Sequence, residues 1–485
     1  GRNTILVRQT GNETNACCVL IEAFHVTLSG FVFTGARVGV CVNANISTRA
    51  CITDNLFKIN SKAGLEVVSS NTNSWRSFFI ARNLFYNTGD CMRLESGRTD
   101  NEGSTFEVYN NTASTTNGCV LAMGGRIKYS YVRNNIFVAN GGTCYATTVG
   151  NYSPFWSECN DLWATNGGVI ARITINGGTL TLAKLSDWQR FTFSQYYNSA
   201  RDARSFSRDP AFASPANGDY HLKSAVGRWS PGSGISGGQW VADQEHSPCI
   251  DAGEPYYYSE RLAFEPAPNG GRLNLGCYGG TAEASMSATN DLNRALLAMV
   301  PDCGRLLEQG QVIYWNATGL GWGSGDTVNI EYSTDGGVIW HLISTVAAND
   351  GYYYWSQPPV AYGSTNGCWI RMSATQDASV ADKVFLPPPS LFFVNDSTAN
   401  GDIWCTDVGN DDNDGLSSRT PLASVQAVID RYAPTRGSTI YVDAGTYPLS
   451  ADLVLPDTGP GGETPARWLS LIGAGRSTVF DRQST

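Results

Sequence analysis

The chain is 485 residues long, and 33 Lys+Arg against 43 Asp+Glu leave a net charge of −10. An acidic chain without a basic run offers nucleic acid and anionic lipid little to hold, and no apolar stretch reaches the roughly 18 residues of a membrane-spanning helix. With 42% hydrophobic residues it can build a large core, which excludes wholesale disorder.

From about residue 20 to 165 the sequence is a series of short β-type runs broken at Asn and Gly, without helical periodicity. Asn55-Leu-Phe57, Asn83-Leu-Phe85, Asn111-Thr-Ala113, Asn135-Ile-Phe137 and Asn160-Asp-Leu162 recur at steps of 28, 28, 24 and 25. A second series, Cys41, Glu66, Cys91, Cys119 and Cys144, steps by 25, 25, 28 and 25. Such a period is the signature of a solenoid, whose turns stack about 4.8 Å apart and share one core. Asn is expected at the corner because it tolerates the left-handed conformation and its amide can bond to the Asn above and below. The stretch is predicted to be a right-handed parallel β-helix, with Cys91, Cys119 and Cys144 stacked inward at one position as small hydrophobes.

These rungs resemble the pectate-lyase-like right-handed β-helix superfamily. Four segments beyond them are similar to the closing part of large bacterial surface and secreted β-helix proteins. They are Ser207-Arg-Asp-Pro-Ala-Phe212, Asn217-Gly-Asp-Tyr-His-Leu222, Ser247-Pro-Cys-Ile-Asp-Ala-Gly253 and Pro268-Asn-Gly-Gly-Arg-Leu-Asn-Leu-Gly-Cys-Tyr-Gly-Gly-Thr281. Residues 1–285 are therefore expected to be the later rungs and closure of a β-helix. The resemblance implies fold and an extracellular or cell-surface setting, and says little about activity.

Residues 286–302 read as a connector with one short helix. Over 303–388 alternating runs such as Thr327-Val-Asn-Ile-Glu-Tyr332 and Cys368-Trp-Ile-Arg-Met372, with the turn Ser333-Thr-Asp-Gly-Gly337, predict an immunoglobulin- or fibronectin-III-like sandwich. Residues 389–485 resemble the opening of a β-helix of the same superfamily. The carriers are Phe393-Val-Asn-Asp396, Gly409-Asn-Asp-Asp-Asn-Asp-Gly-Leu-Ser417, Thr420-Pro-Leu-Ala-Ser-Val-Gln-Ala-Val-Ile429 and Ile440-Tyr-Val-Asp-Ala-Gly-Thr-Tyr447. Joined end to end, Thr478-Val-Phe-Asp-Arg-Gln-Ser-Thr485 and Gly1-Arg-Asn-Thr-Ile-Leu-Val7 read as continuous β-helix. The expectation is an all-β chain in a head-to-tail order. It could be one repeat of a tandem polypeptide, a filament subunit that completes its neighbour's solenoid, or a fragment with two unequal β-helices.

Chemical motifs are sparse. His25, His221, His246 and His341 lie in four segments without metal-ligand spacing. Pectate lyases use an Arg or Lys base and calcium-binding carboxylates, for which Arg82, Arg93, Arg133, Asp90 and Glu95 are the candidates. Arg82 and Arg133 adjoin the Asn series and are expected at an exposed position of successive rungs. Asn410-Asp-Asp-Asn-Asp-Gly415 resembles half a calcium loop, but Pro421 stands where a bidentate Glu is needed, so a tight acidic turn is expected. Cys249 with Cys277 and Cys303 with Cys368 are candidate disulfides among 13 cysteines. Asn-x-Ser/Thr sequons begin at Asn12, Asn45, Asn110, Asn151, Asn316 and Asn395. No catalytic, cofactor or metal residue is assigned. The expected role is structural: a unit of an extracellular fibre or giant surface protein whose partners are copies of itself. The alternative is a secreted carbohydrate-active or carbohydrate-binding β-helix protein, with Trp75, Tyr86, Tyr109 and Tyr131 as a sugar platform.

Overall fold

The computed structural model describes the chain apart from residues 1–3, 8–16, 45–48, 69–75, 97–103, 126, 149–154, 176–177, 191–201, 203, 233–236, 255–258, 289–293, 300–310, 320, 357–367, 387–389, 435–437, 456–468 and 483–485. Its first part is a parallel β-solenoid. Among the described residues, three sheets run along it with seven, eight and six strands. A rung passes from the first sheet (for example Leu56–Lys58) to the second (Ala63–Val68), then to the third (Ser77–Ala81), and back to the first at Leu84–Tyr86.

The Asn series marks the corner between third and first sheets and bonds from rung to rung as expected, but the ladder Asn does not itself take the left-handed conformation. The left-handed residue is the one before each Asn: Asp54, Arg82, Asn110, Asn134 and Cys159, with φ of 59°, 54°, 51°, 58° and 54°. That residue reverses the chain and leaves the following Asn buried, its amide directed along the stack. Asn55, Asn83, Asn111 and Asn135 each donate Nδ2 to the Oδ1 of the next Asn at 3.0–3.1 Å. Each also donates its backbone N–H to that same oxygen. The corners thus satisfy their own buried polar groups, as a dry interior demands.

Inside, aromatic side chains stack from rung to rung. Phe33, Phe57 and Phe85 form a column with ring centroids 5.0 and 4.5 Å apart, and Phe78 lies 5.3 Å from Phe106. Each such fully buried ring is worth about 2–3 kcal/mol of transfer free energy. Gly64 makes room for the column: a Cβ there would lie 2.7 Å from the Phe85 ring.

The second series is not a register. Cys41 lies opposite Glu66, but Glu66 lies opposite Arg93, Met92 opposite Leu121, and Cys119 opposite Thr143. Equal spacing in sequence slips out of phase because corner lengths vary between rungs. Cys91, Cys119 and Cys144 are buried; Cys91 and Cys144 share one stacked position with Val120 between them, and Cys119 lies one residue off it.

The closing segment first bonds onto the last rung, where Phe206 N donates to Asn160 O and Leu162 N to Phe206 O. It then runs back along the side and covers the outer face of the first sheet, where Phe206, Leu222, Cys249 and Leu275 pack on Ile136 and Val138. Asn110 Nδ2 donates to Asn274 O at 3.0 Å and Gly276 N to Asn134 O at 2.8 Å, fastening it to the ladder corner.

Beyond it, Ala295–Ala298 is a strand where a short helix was expected, paired antiparallel with Gln311–Thr318. That three-stranded sheet and the four-stranded antiparallel sheet through Thr327–Ser333 and Cys368–Ala374 enclose one core, including Ile313, Trp315, Val328 and Ile370. The unit is joined to the closing segment by Arg208, whose guanidinium donates to both oxygens of Asp382 at 3.2 and 2.7 Å.

The last segment stacks Leu391–Val394, Thr439–Val442 and Ser470–Gly473 in parallel, and Gly445–Pro448 on Thr478–Asp481. One face of the larger sheet (Phe392, Val394, Ile440, Val442) packs on helix Val425–Tyr432, which Ser424 caps by accepting from Ala427 N. The other face (Leu391, Phe393, Tyr441) joins the main core, which runs from Ile21 at the start of the solenoid to Ala474. Thr181 N lies 3.4 Å from Tyr441 Oη, and Ser390 Oγ donates to Asp187 Oδ2 at 3.0 Å across this join.

Candidate functional site

On the outer face of the second sheet lies an open groove of about 580 Å³, bordered by Leu20, Cys41, Lys62, Glu66, Arg93 and Glu95. Strand alternation builds it: Leu65, Val67, Met92 and Leu94 point into the core, so Glu66, Arg93 and Glu95 point out. The register sets Arg93 opposite Glu66. Arg93 Nη1 donates to Asp90 Oδ2 at 2.7 Å and Nη2 to Glu95 Oε1 at 3.3 Å, while Nε lies 3.5 Å from Glu66 Oε1. Lys62 Nζ closes on the same Glu66 oxygen from four residues earlier in the chain.

Of the lyase candidates, then, Arg93, Asp90 and Glu95 come together; Lys62 and Glu66 complete the group. The Lys62–Glu66 spacing was the available signal for the last two. A proton-abstracting Arg must lose its proton. Burial alone would lower the Arg93 pKa, but the hydrogen bond to Asp90 and the charges of Asp90, Glu95 and Glu66 outweigh it and hold the guanidinium more firmly protonated. Such a cluster is suited to charge balance and to gripping a polar ligand. Beneath it, burial, then the Glu66 charge, pushes the Cys41 thiol up to about 11.

Arg82 and Arg133 lie elsewhere, and they are buried rather than exposed. As left-handed corner residue and strand end respectively, they turn back onto acids of neighbouring rungs. Arg82 donates to both oxygens of Asp54 at 2.8 and 2.9 Å, and Arg133 lies 3.1 Å from Glu158.

The histidines stay apart. His25 is exposed at a left-handed turn; His221 is buried between Asp219 (2.6 Å) and Glu283 (3.5 Å), with Tyr278 stacked 3.6 Å away. Ala225 N donates to His246 at 3.4 Å, and His341 stacks on Tyr332. Among the described residues no group of three or more His, Cys, Asp or Glu side chains could hold a metal ion. The acidic loop is a set of turns: Asp411 accepts from Ala423 N and Ser424 N, and Asp414 from Leu416 N and Thr420 Oγ1. Its carboxylates fasten the start of the capping helix.

Cys249 and Cys277 lie in separate packing clusters and share no disulfide, and Cys249 donates to the buried Asp161 at 3.2 Å. Cys368 is free; Cys303 lies outside the described residues. The expected aromatic platform is dispersed. Trp75 lies outside the described residues, Tyr86 packs 5.3 Å from Tyr220, and Tyr109 is buried. Tyr131 instead stacks on Trp156 at 4.8 Å, with Tyr129 5.4 Å from the same indole. In-register rings of this kind spend their faces on each other, leaving little free face for a sugar.

Among the described residues no helix is long and apolar enough to cross a membrane. Residues 191–253, the start of the closing segment, match the protein family described as disaggregatase related. Neither the curated proteins nor the solved structures contain a match. The match to this β-helix-like family and the observed solenoid together support a parallel β-helix.

Proposed function

We propose that the chain is a structural unit of an extracellular fibre or giant surface protein, in which solenoids succeed one another head to tail. The observation that carries this reading is that the last segment packs on the main core that begins at Ile21, with Cys17–Ile21 and Ser470–Gly473, among the described residues, as outer parallel strands at the two ends. A rod of this kind resists bending because each rung is bonded to the next along three sheets and a side-chain ladder. The two-sheet unit, read as an immunoglobulin/fibronectin-III-like module, spaces or decorates the rod. The pectate-lyase-like kinship and the extracellular setting rest on sequence resemblance.

Electron microscopy with sedimentation velocity tests this. Fibres or end-to-end oligomers with a regular axial repeat are expected, and discrete monomers that depolymerise a polysaccharide would sink the reading. The groove at Arg93 supports a second reading, binding of a polysaccharide along Lys62, Glu66, Arg93 and Glu95. A glycan array would register it as binding lost in Arg93→Ala.

A further inference from the structure

We propose that the edge formed by Ser470–Gly473 and Thr478–Asp481 seats on Cys17–Ile21 and Val26–Ser29 of a second copy of this chain, in one defined parallel register. The proposal rests on the head-to-tail reading and names its joint. Four observations lead to it.

Polarity comes first. Ser470–Gly473 is the outer strand after Thr439–Val442, on the side where a later rung would add; Cys17–Ile21 is the outer strand before Val38–Asn43, where an earlier rung would add. Parallel edges facing opposite ways along one direction of growth are complementary. An open edge is a template for another chain, and one that pairs only head to tail gives directed growth.

Connection length comes second. Residues 474–477 join the two strands at one end, and residues 22–25 join them at the other, four residues in both. Corners between the third and first sheets are shorter, one residue at Gly30 and two at Asp54-Asn55. A four-residue step also occurs between the first and second sheets, at residues 59–62, but of the open strands at the start of the solenoid Cys17–Ile21 and Val26–Ser29 are the pair joined by four residues.

Third, one offset of 452 aligns both strands and the connection, from Ser470 against Cys18 to Asp481 against Ser29. In that alignment the faces agree. Leu471 packs inward on the helix-side core and meets Val19, which packs on the main core. Phe480, whose ring lies 5.8 Å from buried Tyr447, meets inward Leu28. Shifting by one residue would set each apolar residue against the wrong face.

Fourth, the outward pair is apolar at both ends. Ile472 is 39% exposed and would lie over Leu20, 52% exposed; Arg476 would lie over Phe24, 63% exposed. Pairing covers these groups together with Phe480, which extends the interior column of Leu28, Ile52 and Ile80.

Sedimentation velocity on the purified chain and two exposed-site variants tests the register. Wild type is expected to associate end to end. Ile472→Asp and Leu20→Lys should each associate at least tenfold more weakly, with unchanged circular dichroism. Mixing the two variants should restore complexes, because one supplies an intact amino-side edge and the other an intact opposite edge. Val479→Asp, on the outward face of the other strand, serves if Ile472→Asp does not fold. Association as tight in Ile472→Asp or Val479→Asp as in wild type would overturn this register and leave the head-to-tail reading standing. Failure of the mixture to rebuild complexes would overturn the pairing of these two edges. A wild type that stays monomeric at every concentration would remove both.

Discussion

Asn160 Nδ2 donates to Asp202 Oδ1 at 3.1 Å, so the asparagine ladder ends on a carboxylate from the closing segment. The same oxygen accepts from Ser157 Oγ at 2.7 Å and Ser205 Oγ at 2.6 Å, and Oδ2 accepts from Trp188 Nε1 at 2.7 Å. Ser205 Oγ meanwhile accepts the Asn160 N–H that a further Asn would have taken. Asp202 is fully buried with φ of 52°, so it terminates the ladder both electrostatically and by turning the chain. Asp202→Ala strands these donors and strains the turn; a loss of about 3–5 kcal/mol is expected in urea unfolding. Asp202→Asn keeps the acceptor and suits the left-handed turn, and about 1–2 kcal/mol is expected because its NH₂ faces the Trp188 N–H.

Within the ladder, Asn111 is bonded on both sides: its Oδ1 accepts from Asn83, and its Nδ2 donates to Asn135 Oδ1 and Ile80 O. Asn111→Ala should cost about 2–4 kcal/mol by orphaning buried groups of two rungs. Asn217→Ala, at an exposed turn, should stay within about 0.5 kcal/mol. Equal losses in the two variants would contradict a working ladder.

The ladder was legible in sequence because one side chain per rung must repeat wherever the corner repeats. The residue that makes the turn was not, because a left-handed corner accepts Asp54, Arg82, Asn110, Asn134 or Cys159 alike once the ladder Asn beside it is fixed. The cysteine series misled because spacing adds loop length to register, and only paired strands separate them. Arg82 and Arg133 read as exposed since charge was weighed without Asp54 and Glu158, which arrive from neighbouring rungs. The sideways path of the closing segment depends on which solenoid face lacks cover, and no local pattern records that.

Three sequons are closed by packing. Asn110 donates to Asn274 O, Asn316 accepts from Arg272, and Asn395 Nδ2 donates to Asp402 Oδ2 at 2.7 Å; all three are buried. Folded protein secreted from a glycosylating host is expected to carry no glycan at these positions. Peptide mapping by mass spectrometry checks it, and a glycan on Asn110 would contradict the packing of the closing segment on the corner.

Thiol reactivity should divide the cysteines by depth. Cys17, Cys18, Cys41 and Cys51 are half-buried in the first rungs, whereas Cys91, Cys119, Cys144, Cys159, Cys249, Cys277, Cys368 and Cys405 are buried. Burial pushes Cys91 up to about 12 and Cys159 also to about 12, so little thiolate exists there at neutral pH. Maleimide labelling of native protein, read by mass spectrometry, is expected to mark the first four slowly and the eight others only after denaturation. Fast labelling of Cys91 would mean that the solenoid opens.

Stability should fall as pH rises from about 4 to 8. Burial raises the carboxyl of Asp161 to about 8, Glu265 to about 7 and Asp251 to about 6, and raises Asp202 as well. An unfolded carboxyl titrates near 4, so within this window the folded chain binds more protons than the unfolded one. Stability then decreases with pH until each folded value is passed, and that part of the stability is complete only below about 4. Asp219 opposes this at the acid end: burial alone would raise it, but hydrogen bonds from His221 and the charges of His221 and Arg228 bring it below the usual range. Its contribution is lost as pH falls below about 4, so a maximum between about 4 and 5 is expected. Thermal melts should give a higher Tm at pH 5 than at pH 8. Glu265→Gln, which keeps an acceptor for Asn274 N and Gly280 N, should narrow the difference, and a Tm that climbs from pH 5 to pH 8 would mean that these carboxyls are not buried as described.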